Sequence, residues 1–146
     1  MTFFIDGAPA GQVNSIVSHP TMPLLITGHE DKYIRIFDLA TGMCHPVLFQ
    51  ASSNIMLLGQ CTHSILAHLD AVASVSLDAA GFSLVSASHD CSVRFWDILG
   101  SRACVQEITS HREKAREGVL AVEFHPGLPV MASAGADGSV KLYASS

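Results

Sequence analysis

The sequence has little charge, and charges of one sign are nowhere concentrated. Only 14% of its 146 residues are Asp, Glu, Lys or Arg, and the net charge is −5. No run of lysines or arginines is present that could neutralise a phosphate backbone, so we expect no nucleic-acid partner. Apolar residues make up 49% of the chain, which argues against a disordered tail and indicates a folded core.

Long apolar runs and a basic leader are also missing. The start, MTFFIDGAPAGQ, has too few consecutive large apolar residues for a signal peptide or a membrane span. We therefore expect a cytoplasmic protein without direct membrane insertion. No Cys-x-x-Cys pair occurs among the cysteines, so reduced thiols are expected and neither a cofactor nor a disulfide is predicted. The cysteines are Cys44, Cys61, Cys91 and Cys104.

One pattern occurs three times. The segments that begin at Val13, Val72 and Val119 align without a gap, and each carries, at matching positions, an aspartate, a β-branched residue, a basic residue and an aromatic residue. These positions are Asp31, Ile34, Arg35 and Phe37 in the first copy, Asp90, Val93, Arg94 and Trp96 in the second, and Asp137, Val140, Lys141 and Tyr143 in the third. Self-similarity of this kind indicates a repeat architecture.

Each copy is predicted to form strands, because apolar residues recur with a period near two and Val, Ile and aromatic residues are frequent. The predicted strands are 13–18, 24–28 and 33–37, then 72–77, 83–88 and 92–97, then 119–124, 130–134 and 139–143. Residues 102–109 predict a fourth strand for the second copy. The repeated aspartate lies at the tight turn between the second and third strands. Four antiparallel strands per repeat are typical of a β-propeller blade.

The three copies resemble WD repeats. Residues 95–97, Phe-Trp-Asp, match the signature dipeptide, and Ala67-His68 stands where the family has Gly-His. The resemblance implies a buried, hydrogen-bonded tetrad in the second copy, formed by His68, Ser86, Asp90 and Trp96. It implies partial tetrads of His111, Ser133, Asp137 and Tyr143 in the third copy and of Thr27, Asp31 and Phe37 in the first, where Pro9 stands at the histidine position.

The neighbours Ser88, His89 and Asp90 combine the residue types of a hydrolytic triad. Adjacent residues in a strand or turn point in different directions, whereas a nucleophile, a base and an orienting acid must converge. We therefore predict no catalytic residue and assign Asp90 to the turn and the tetrad.

Candidate contacts for a protein partner are His89, Arg112, Lys114 and Arg116. The last three belong to residues 111–118, the densest charge cluster in the chain, and His89 is expected in an exposed loop. A solvated loop is the simpler interpretation of the cluster, because its charges are of mixed sign.

More specific segments resemble the C-terminal blades of the striatin family. They are VNSIVSHPTMPL, AHLDAVASVSLDAAG, SASHDCSVRFWD, CVQEITSHREK and ASAGADGSVKLY, and they cover most of the chain. The resemblance implies a non-enzymatic scaffold, because striatins are regulatory subunits of protein phosphatase 2A that gather kinases and adaptor proteins. The family's coiled-coil, caveolin-binding and calmodulin-binding segments precede its propeller and have no matching residues here. Binding of calmodulin or the phosphatase core is therefore not expected.

The step from Phe37 to His68 is longer than the equivalent step from Trp96 to His111, and we assign the surplus to an inserted loop at 45–61. The predicted repeats are then 13–44, 62–109 and 111–146 of one unit, 1–146. Altered splicing or a gene-model error is the favoured origin of the loop. The alternatives are an adaptive binding loop or a zinc site from Cys44, His45, Cys61 and His63, whose spacing matches no common zinc module.

The predicted fold class is all-β, a partial WD-repeat β-propeller of about three four-stranded antiparallel blades with an incomplete ring, since known propellers close with four or more blades. The favoured function is a protein–protein interaction scaffold. Alternatives are another WD-repeat adaptor, such as a ubiquitin-ligase substrate receptor, a non-functional truncated isoform or, more remotely, a propeller hydrolase. The receptors usually have an arginine where Leu99 stands, which counts against that alternative.

Overall fold

The structure is a computed structural model that describes residues 12–40 and 60–144. Within these two ranges the chain forms eleven β-strands and no helix. No helix long and apolar enough to cross a membrane is therefore found among them. Pro9, Cys44, His45 and the part of the predicted insertion at 45–59 lie outside the described residues.

The strands form three antiparallel sheets, each in chain order, which we call the first, second and third blades. The first blade consists of β1 (Val13–Ser18), β2 (Leu24–His29), β3 (Tyr33–Asp38) and β4 (Gln60–Leu66). The second consists of β5 (Val72–Leu77), β6 (Ser83–Ser88), β7 (Ser92–Asp97) and β8 (Cys104–Thr109). The third consists of β9 (Val119–Phe124), β10 (Val130–Gly135) and β11 (Val140–Ala144). The predicted all-β fold with repeated antiparallel sheets is confirmed.

All the strands predicted from the sequence are present, with ends that differ by at most two residues. The predicted insertion is wrong at its end, because Gln60 and Cys61 belong to β4. Cys61 pairs with Phe37 just as Cys104 pairs with Trp96, and both ladders carry a register shift at this point. The repeat therefore resumes before residue 62, and its fourth strand includes the cysteine.

Two apolar clusters join the blades, and the second blade contributes to both. In the first cluster, isoleucines of the first blade pack against one side of the second blade; its members include Ile26, Ile34, Ile36, Val72, Leu84, Trp96 and Ile98. In the other cluster, the opposite side of the second blade packs against the third; its buried members are Val85, Ala87, Val93, Val119, Val122 and Met131. Strand alternation produces this arrangement, since successive side chains point to opposite faces.

Polar contacts recur between the blades at equivalent positions. The amide of Val75 donates to Ser15 Oγ at 3.2 Å, and the amide of Val122 donates to Ser74 Oγ at 3.3 Å. Ser15 and Ser74 occupy the same place in their repeats. The inner strands of neighbouring blades are thus joined by the same serine contact at both interfaces.

His19 forms a further bridge between the first two blades. Its Nδ1 accepts hydrogen bonds from the amides of Thr21 and Met22, and its Nε2 lies 3.1 Å from the carbonyl oxygen of Gly81. A neutral imidazole with its hydrogen on Nε2 satisfies all three contacts. Gly81 has a φ of 81°, and a Cβ built there would lie 2.3 Å from His19 Nε2. Both its backbone conformation and its closeness to His19 require glycine.

Candidate functional site

Four side chains meet inside the second blade. His68 lies between β4 and β5, Ser86 on β6, Asp90 in the turn after β6, and Trp96 on β7. His68 Nδ1 is 3.0 Å from Asp90 Oδ2, and His68 Nε2 is 2.7 Å from Ser86 Oγ. Trp96 Nε1 donates to Ser86 Oγ at 2.8 Å. The structure therefore brings together all four residues of the predicted tetrad.

One arrangement of hydrogens satisfies every polar atom of this group with a neutral imidazole. Trp96 donates to Ser86, the Ser86 hydroxyl donates to His68 Nε2, and the His68 Nδ1 hydrogen is directed to the Asp90 carboxylate. The His68 side chain is 0% exposed and that of Asp90 is 8% exposed. Polar groups buried this deeply are tolerated when each has a partner.

Asp90 also receives hydrogen bonds that the sequence pattern did not reveal. Ser92 Oγ donates to Asp90 Oδ1 at 2.6 Å, and the Leu69 amide donates to Oδ2 at 2.9 Å. Burial acts to raise the pKa of the Asp90 carboxyl, but the hydrogen bonds from His68, Ser92 and Leu69 outweigh burial and hold that pKa well below its usual range. Asp90 is therefore a carboxylate that the fold stabilises in its charged form.

The third blade repeats the arrangement with tyrosine in place of tryptophan. His111 Nε2 is 2.7 Å from Ser133 Oγ, and His111 Nδ1 is 3.1 Å from Asp137 Oδ1. The Tyr143 hydroxyl lies 3.1 Å from Ser133 Oγ and also contacts Ser110 Oγ. The phenol hydroxyl thus takes the place of the indole nitrogen as the hydrogen-bond partner of the serine.

A serine also supports the aspartate of the third blade. Ser139 Oγ donates to Asp137 Oδ1 at 2.6 Å, and the amide of Arg112 donates to Oδ2 at 3.1 Å. The hydrogen bonds from Ser139, Arg112 and His111, in that order of size, hold the pKa of Asp137 well below its usual range. Ser92 and Ser139 each stand two residues after the turn aspartate, a repeat signal that the sequence carried.

The first blade does not join its predicted residues into one group. Thr27 Oγ1 lies 2.7 Å from Nε2 of His29, a residue not predicted, and Asp31 instead forms a two-point ion pair with Arg35. This pair is the leading cause of the lowered pKa of Asp31. Burial, followed by the charge of Arg35, lowers the pKa of His29. Phe37 is buried, with 2% of its surface exposed, and its side chain has no polar atom to hydrogen-bond.

The basic residue of each repeat has a definite contact. Arg94 donates to the carbonyl oxygen of Ala67, the residue before the tetrad histidine, at 2.5 Å. Lys141 donates to the carbonyl oxygen of Ser110, which precedes His111. In these two blades the basic side chain therefore fixes the backbone that positions the histidine, whereas Arg35 of the first blade pairs with Asp31.

Ser86, His68 and Asp90 have the connectivity of a hydrolytic triad, but the site is closed. Ser86 is 0% exposed and its oxygen already accepts the Trp96 hydrogen, so no carbonyl carbon can approach it. The consecutive residues Ser88, His89 and Asp90 do not converge, because Ser88 Oγ donates to the carbonyl oxygen of Asp70 and accepts from the Asp90 amide. The arrangement is suited to holding strands and loops together.

The four candidate partner contacts divide between two places. His89 is half-buried, and with Arg116 it lines a cavity of about 430 Å³ beside Asp70, Cys91 and Glu113. Arg112 and Lys114 are exposed and do not line this cavity. His89, expected in an exposed loop, is half-buried, because Gly118 packs against the backbone at residues 89–91 and brings the charged loop over it.

The charged loop, residues 111–118, contains a tight hairpin at Lys114–Glu117. The amides and carbonyl oxygens of Lys114 and Glu117 exchange two hydrogen bonds, of 2.9 and 3.0 Å. The two central residues, Ala115 and Arg116, have φ of 54° and 67°. Positive φ at both positions is the geometry of a type I′ turn, which normally selects Asn-Gly.

The zinc hypothesis depends partly on residues outside the described ranges, Cys44 and His45. Of the other two candidates, Cys61 donates its thiol to the His63 carbonyl oxygen at 3.4 Å, and the His63 ring contacts Arg102. Residues 12–40 and 60–144 contain no group of three His, Cys, Asp or Glu side chains that could hold a metal. Over the same ranges, the three cysteines are free thiols.

Compared with known protein families, the sequence matches the family model for the WD domain, G-beta repeat, at residues 2–38, 59–97 and 102–144. Striatin-3 of Rattus norvegicus is 45% identical over 134 residues, which is 92% of this chain and 15% of the relative. Striatin of Homo sapiens is 42% identical over 132 residues, and striatin-4 of Mus musculus is 44% identical over the same length. The chain thus spans about 15% of the length of these curated relatives. The predicted resemblance to WD repeats and to striatins is confirmed.

Two solved structures share the fold at low identity. One is titled "Structure of U3-55K", with a TM-score of 0.74, 17% identity and coverage of 94% of this chain and 37% of the other. The other is titled "Crystal structure of RRP9 WD40 repeats", with a TM-score of 0.74, 18% identity and coverage of 94% and 36%. At these identities the likeness concerns the fold alone.

Proposed function

Because the chain belongs to the WD40 repeat family, we propose that it is a non-enzymatic scaffold for protein–protein interaction, of the kind found in striatins. The observation that carries the proposal is the 45% identity to striatin-3, which extends over 92% of the chain. Identity at this level across all three blades favours a shared interaction role over the alternatives, a ubiquitin-ligase receptor or an inactive isoform.

The buried state of the tetrads supports the non-enzymatic part of the proposal. A hydrolase needs a serine oxygen with a free approach and a site where the reacting carbonyl can bind. Ser86 and Ser133 are 0% and 1% exposed. Both oxygens are occupied within their own blade, which is consistent with a structural role for the predicted tetrads.

We infer that the chain joins protein phosphatase 2A signalling assemblies in the cytoplasm through proteins that dock on striatin blades. The inference is restricted to blade-binding components, since the chain corresponds to about 15% of a striatin. Arg112, Lys114 and Arg116 are the proposed contacts, because all three side chains are exposed on the hairpin loop, by which we mean the charged loop at residues 111–118. His89 lines a cavity together with Glu113 and Arg116 of this loop.

Quantitative affinity capture from cultured cells tests the proposal. The bait is the tagged chain, the reference is the matching segment of striatin-3, and the control is a three-blade segment of an unrelated WD-repeat protein. We expect the chain and the striatin-3 segment to enrich the same kinases and adaptors of the phosphatase assembly. Capture that is no different from the unrelated control, by a chain shown to be folded, contradicts the proposal.

A charge-reversal variant tests the surface. Changing Arg112, Lys114 and Arg116 to glutamate is expected to abolish capture of the kinases and adaptors that the chain shares with the striatin-3 segment. The far-ultraviolet circular dichroism spectrum should stay unchanged. The matched control is Lys32→Glu, which reverses one exposed charge in a turn of the first blade. Retention of all partners by the triple variant contradicts the assignment of the hairpin loop.

A further inference from the structure

The first blade holds an imidazole in the place that the tetrad histidine occupies in the other two blades. His29 Nε2 lies 2.7 Å from Thr27 Oγ1, and His68 and His111 make the same contact at the same distance with the serines at the equivalent position. A Cβ built on Gly135, the counterpart of His29 in the third copy, would overlap the ring of His111. The side chain at this position therefore enters the space of the tetrad imidazole.

The imidazole reaches this space by a different route in the first blade. His68 and His111 lie in the segments before the first strands of their blades, whereas His29 is the last residue of β2. The first copy has Pro9 at the position of His68. Because alternate side chains of a strand share a face, His29 lies on the same face as Thr27, two residues before it. β2 thus supplies both partners of the contact.

The other ring nitrogen of His29 differs from its counterparts. His68 Nδ1 and His111 Nδ1 face the turn aspartates of their blades at 3.0 and 3.1 Å. In the first blade the turn aspartate, Asp31, is instead held by both terminal nitrogens of Arg35. His29 Nδ1 is buried and has no hydrogen-bond partner among the described residues. With 1% of the residue exposed, bulk water does not replace the missing carboxylate.

A neutral ring with its hydrogen on Nε2 fits this environment. That nitrogen then donates to Thr27 Oγ1, whose hydroxyl donates to the carbonyl oxygen of Arg35 at 3.4 Å. Nδ1 is left as a bare lone pair, which is better placed near a guanidinium than an N–H would be. His68 has the opposite tautomer, because its Nδ1 hydrogen is directed to Asp90.

A second hydrogen on the His29 ring would be costly. It would create a cation in a buried place, near the guanidinium of Arg35 and without an acceptor at Nδ1. Burial and the charge of Arg35, in that order, lower the pKa of His29, and the charge of Asp31 opposes them only in part. The charged neighbours of His29 in the chain, Glu30 and Lys32, are exposed.

The strands that pack around His29 present apolar residues to this part of β2. Val13 of β1 lies opposite His29 in the sheet. From the second blade, Val72 and Val75 of β5 contact the place where Gly28 would carry a side chain. The described strands on these two sides therefore add no carboxylate that could compensate a proton on His29.

We propose that His29 makes the first blade proton-sensitive: it supplies the tetrad imidazole without a carboxylate partner, so that binding of a proton at Nδ1 loosens this blade in mildly acidic solution. A proton on His68 or His111 would face Asp90 or Asp137, so the second and third blades keep their tetrads at that pH. The inference concerns the blade itself and is independent of the partner proposed above.

Urea unfolding of the full chain and of its His29→Gln variant tests the proposal. The glutamine amide can donate to Thr27 Oγ1 but binds no proton. Because the pKa of His29 is lower in the folded than in the unfolded chain, its contribution to stability is complete above the ordinary value of about 6.5 and decreases as the pH falls below it. The ratio of the unfolding constants, unchanged chain over variant, should therefore rise at least about 5-fold between pH 7 and pH 5. A constant ratio would overturn the proposal.

The matched control is His63→Gln. The His63 ring also contacts an arginine, Arg102, but at the surface of the blade, where water solvates an added charge. The ratio for this variant should change less than about 2-fold over the same range of pH. A change as large as that for His29→Gln would also overturn the proposal, because it would mean that the burial of His29 has no special effect.

Arg35→Gln tests the missing carboxylate. The change removes the guanidinium and releases Asp31, which can then face His29 Nδ1 as Asp90 faces His68. In this background, His29→Gln should alter the unfolding constant by the same factor at pH 7 and at pH 5. A pH dependence as steep as that in the presence of Arg35 would contradict the proposal.

Nitrogen-15 NMR of the ring nitrogens gives a readout that loss of packing alone would not produce. At pH 7, His29 should carry its hydrogen on Nε2 and His68 on Nδ1. Between pH 7 and pH 5, the amide signal of Thr27 should shift, whereas that of Ser86 should not. A His29 ring with its hydrogen on Nδ1, or equal shifts at Thr27 and Ser86, would overturn the proposal. These measurements involve no cellular partner, so their failure is distinguishable from failure of the affinity capture.

Discussion

At the scale of single residues, the hydrogen bonds of the tetrad allow a charged aspartate to be buried inside a blade. The Asp90 carboxylate is accepted within the second blade because four donors from three residues, His68, Leu69 and Ser92, converge on it. In the first blade a different solution occurs, with Asp31 paired to Arg35 at a more exposed position. The same turn aspartate therefore has unequal importance in different repeats.

Replacing Asp90 by alanine should strongly destabilise the chain. The change leaves the buried His68 Nδ1 hydrogen and the Ser92 hydroxyl without their acceptor, a loss of about 3 kcal/mol in the free energy of unfolding. Urea unfolding followed by far-ultraviolet circular dichroism measures it. The control is Asp38→Ala, which removes a carboxylate that accepts one amide hydrogen bond, from Ala40, at an exposed position and should cost about 1 kcal/mol. Equal losses in the two variants would contradict the assigned role of the tetrad.

Stability should fall in acid because of the same carboxylates. The pKa of Asp90 and that of Asp137 are lower in the folded than in the unfolded chain, so their stabilisation is complete above the ordinary value of about 4 and decreases as the pH falls below it. Urea unfolding at several pH values measures this dependence. Asp90→Asn should reduce stability at pH 7 and make the decline between about pH 4 and pH 2 shallower. A decline of unchanged steepness in the variant would count against Asp90 as its source.

The sequence predicted the tetrad positions but not their supporting residues. His68, Ser86 and Trp96 could be found because the repeat aligns without a gap and resembles a known motif. Ser92 was missed, although the third copy has Ser139 at the matching place, because serine is common in turns and strands and no distinctive residue type marked it. His29 shares a face of β2 with Thr27, two residues before it, and was missed because the predicted strand ended at residue 28.

At the scale of strands and turns, alternation and turn residues were sufficient to predict most elements. β4 was the exception, because the long segment before it obscured the match between CTHSIL and CVQEIT. Ile65 and Ile108 stand the same distance after their cysteines and before their histidines, and this spacing is the signal that would have located the strand. The hairpin at Lys114–Glu117 could not be predicted, because Ala-Arg is an unusual choice for a type I′ turn.

The hairpin loop should be stabilised by the residues that its turn prefers. Ala115→Asn together with Arg116→Gly places residues that tolerate positive φ at both central positions and should raise the free energy of unfolding by about 1 kcal/mol. Thermal unfolding of the double variant measures the gain. The control is Arg112→Asn with Glu113→Gly, outside the two positive-φ positions, which should bring no gain. A destabilised double variant would mean that the loop does not adopt this turn.

At the scale of the whole molecule, contacts between neighbouring blades hold the repeats together, and Gly81 tests one of them. Gly81→Ala introduces a Cβ at 2.3 Å from His19 Nε2 and strains a φ of 81°. Gly138→Ala is the matched control, because its φ is 77° and nothing lies within 4 Å of the added carbon. We expect about 1 kcal/mol of destabilisation for Gly138→Ala and at least about 2 kcal/mol for Gly81→Ala. Chemical unfolding compares the two, and equal losses would mean that the His19 bridge contributes nothing.

Protection from amide exchange should be greatest in the middle of the array. The second blade contributes to both apolar clusters, whereas the described residues of the first and third blades each pack against one neighbour. In a repeat protein, stability is approximately a sum of such neighbour contacts. Hydrogen exchange read by mass spectrometry should therefore show the slowest exchange in β6 and β7 and faster exchange in β1 and β11. Uniform protection across the three blades would indicate a single cooperative unit.

The position of the only tryptophan makes the second blade individually visible. Trp96 is the one indole in the chain, and its nitrogen is bound to Ser86 in the tetrad. Its fluorescence emission should therefore report the opening of that blade, while circular dichroism averages over all strands. The separation between the two unfolding curves is a direct measure of how independently the blades of this array unfold.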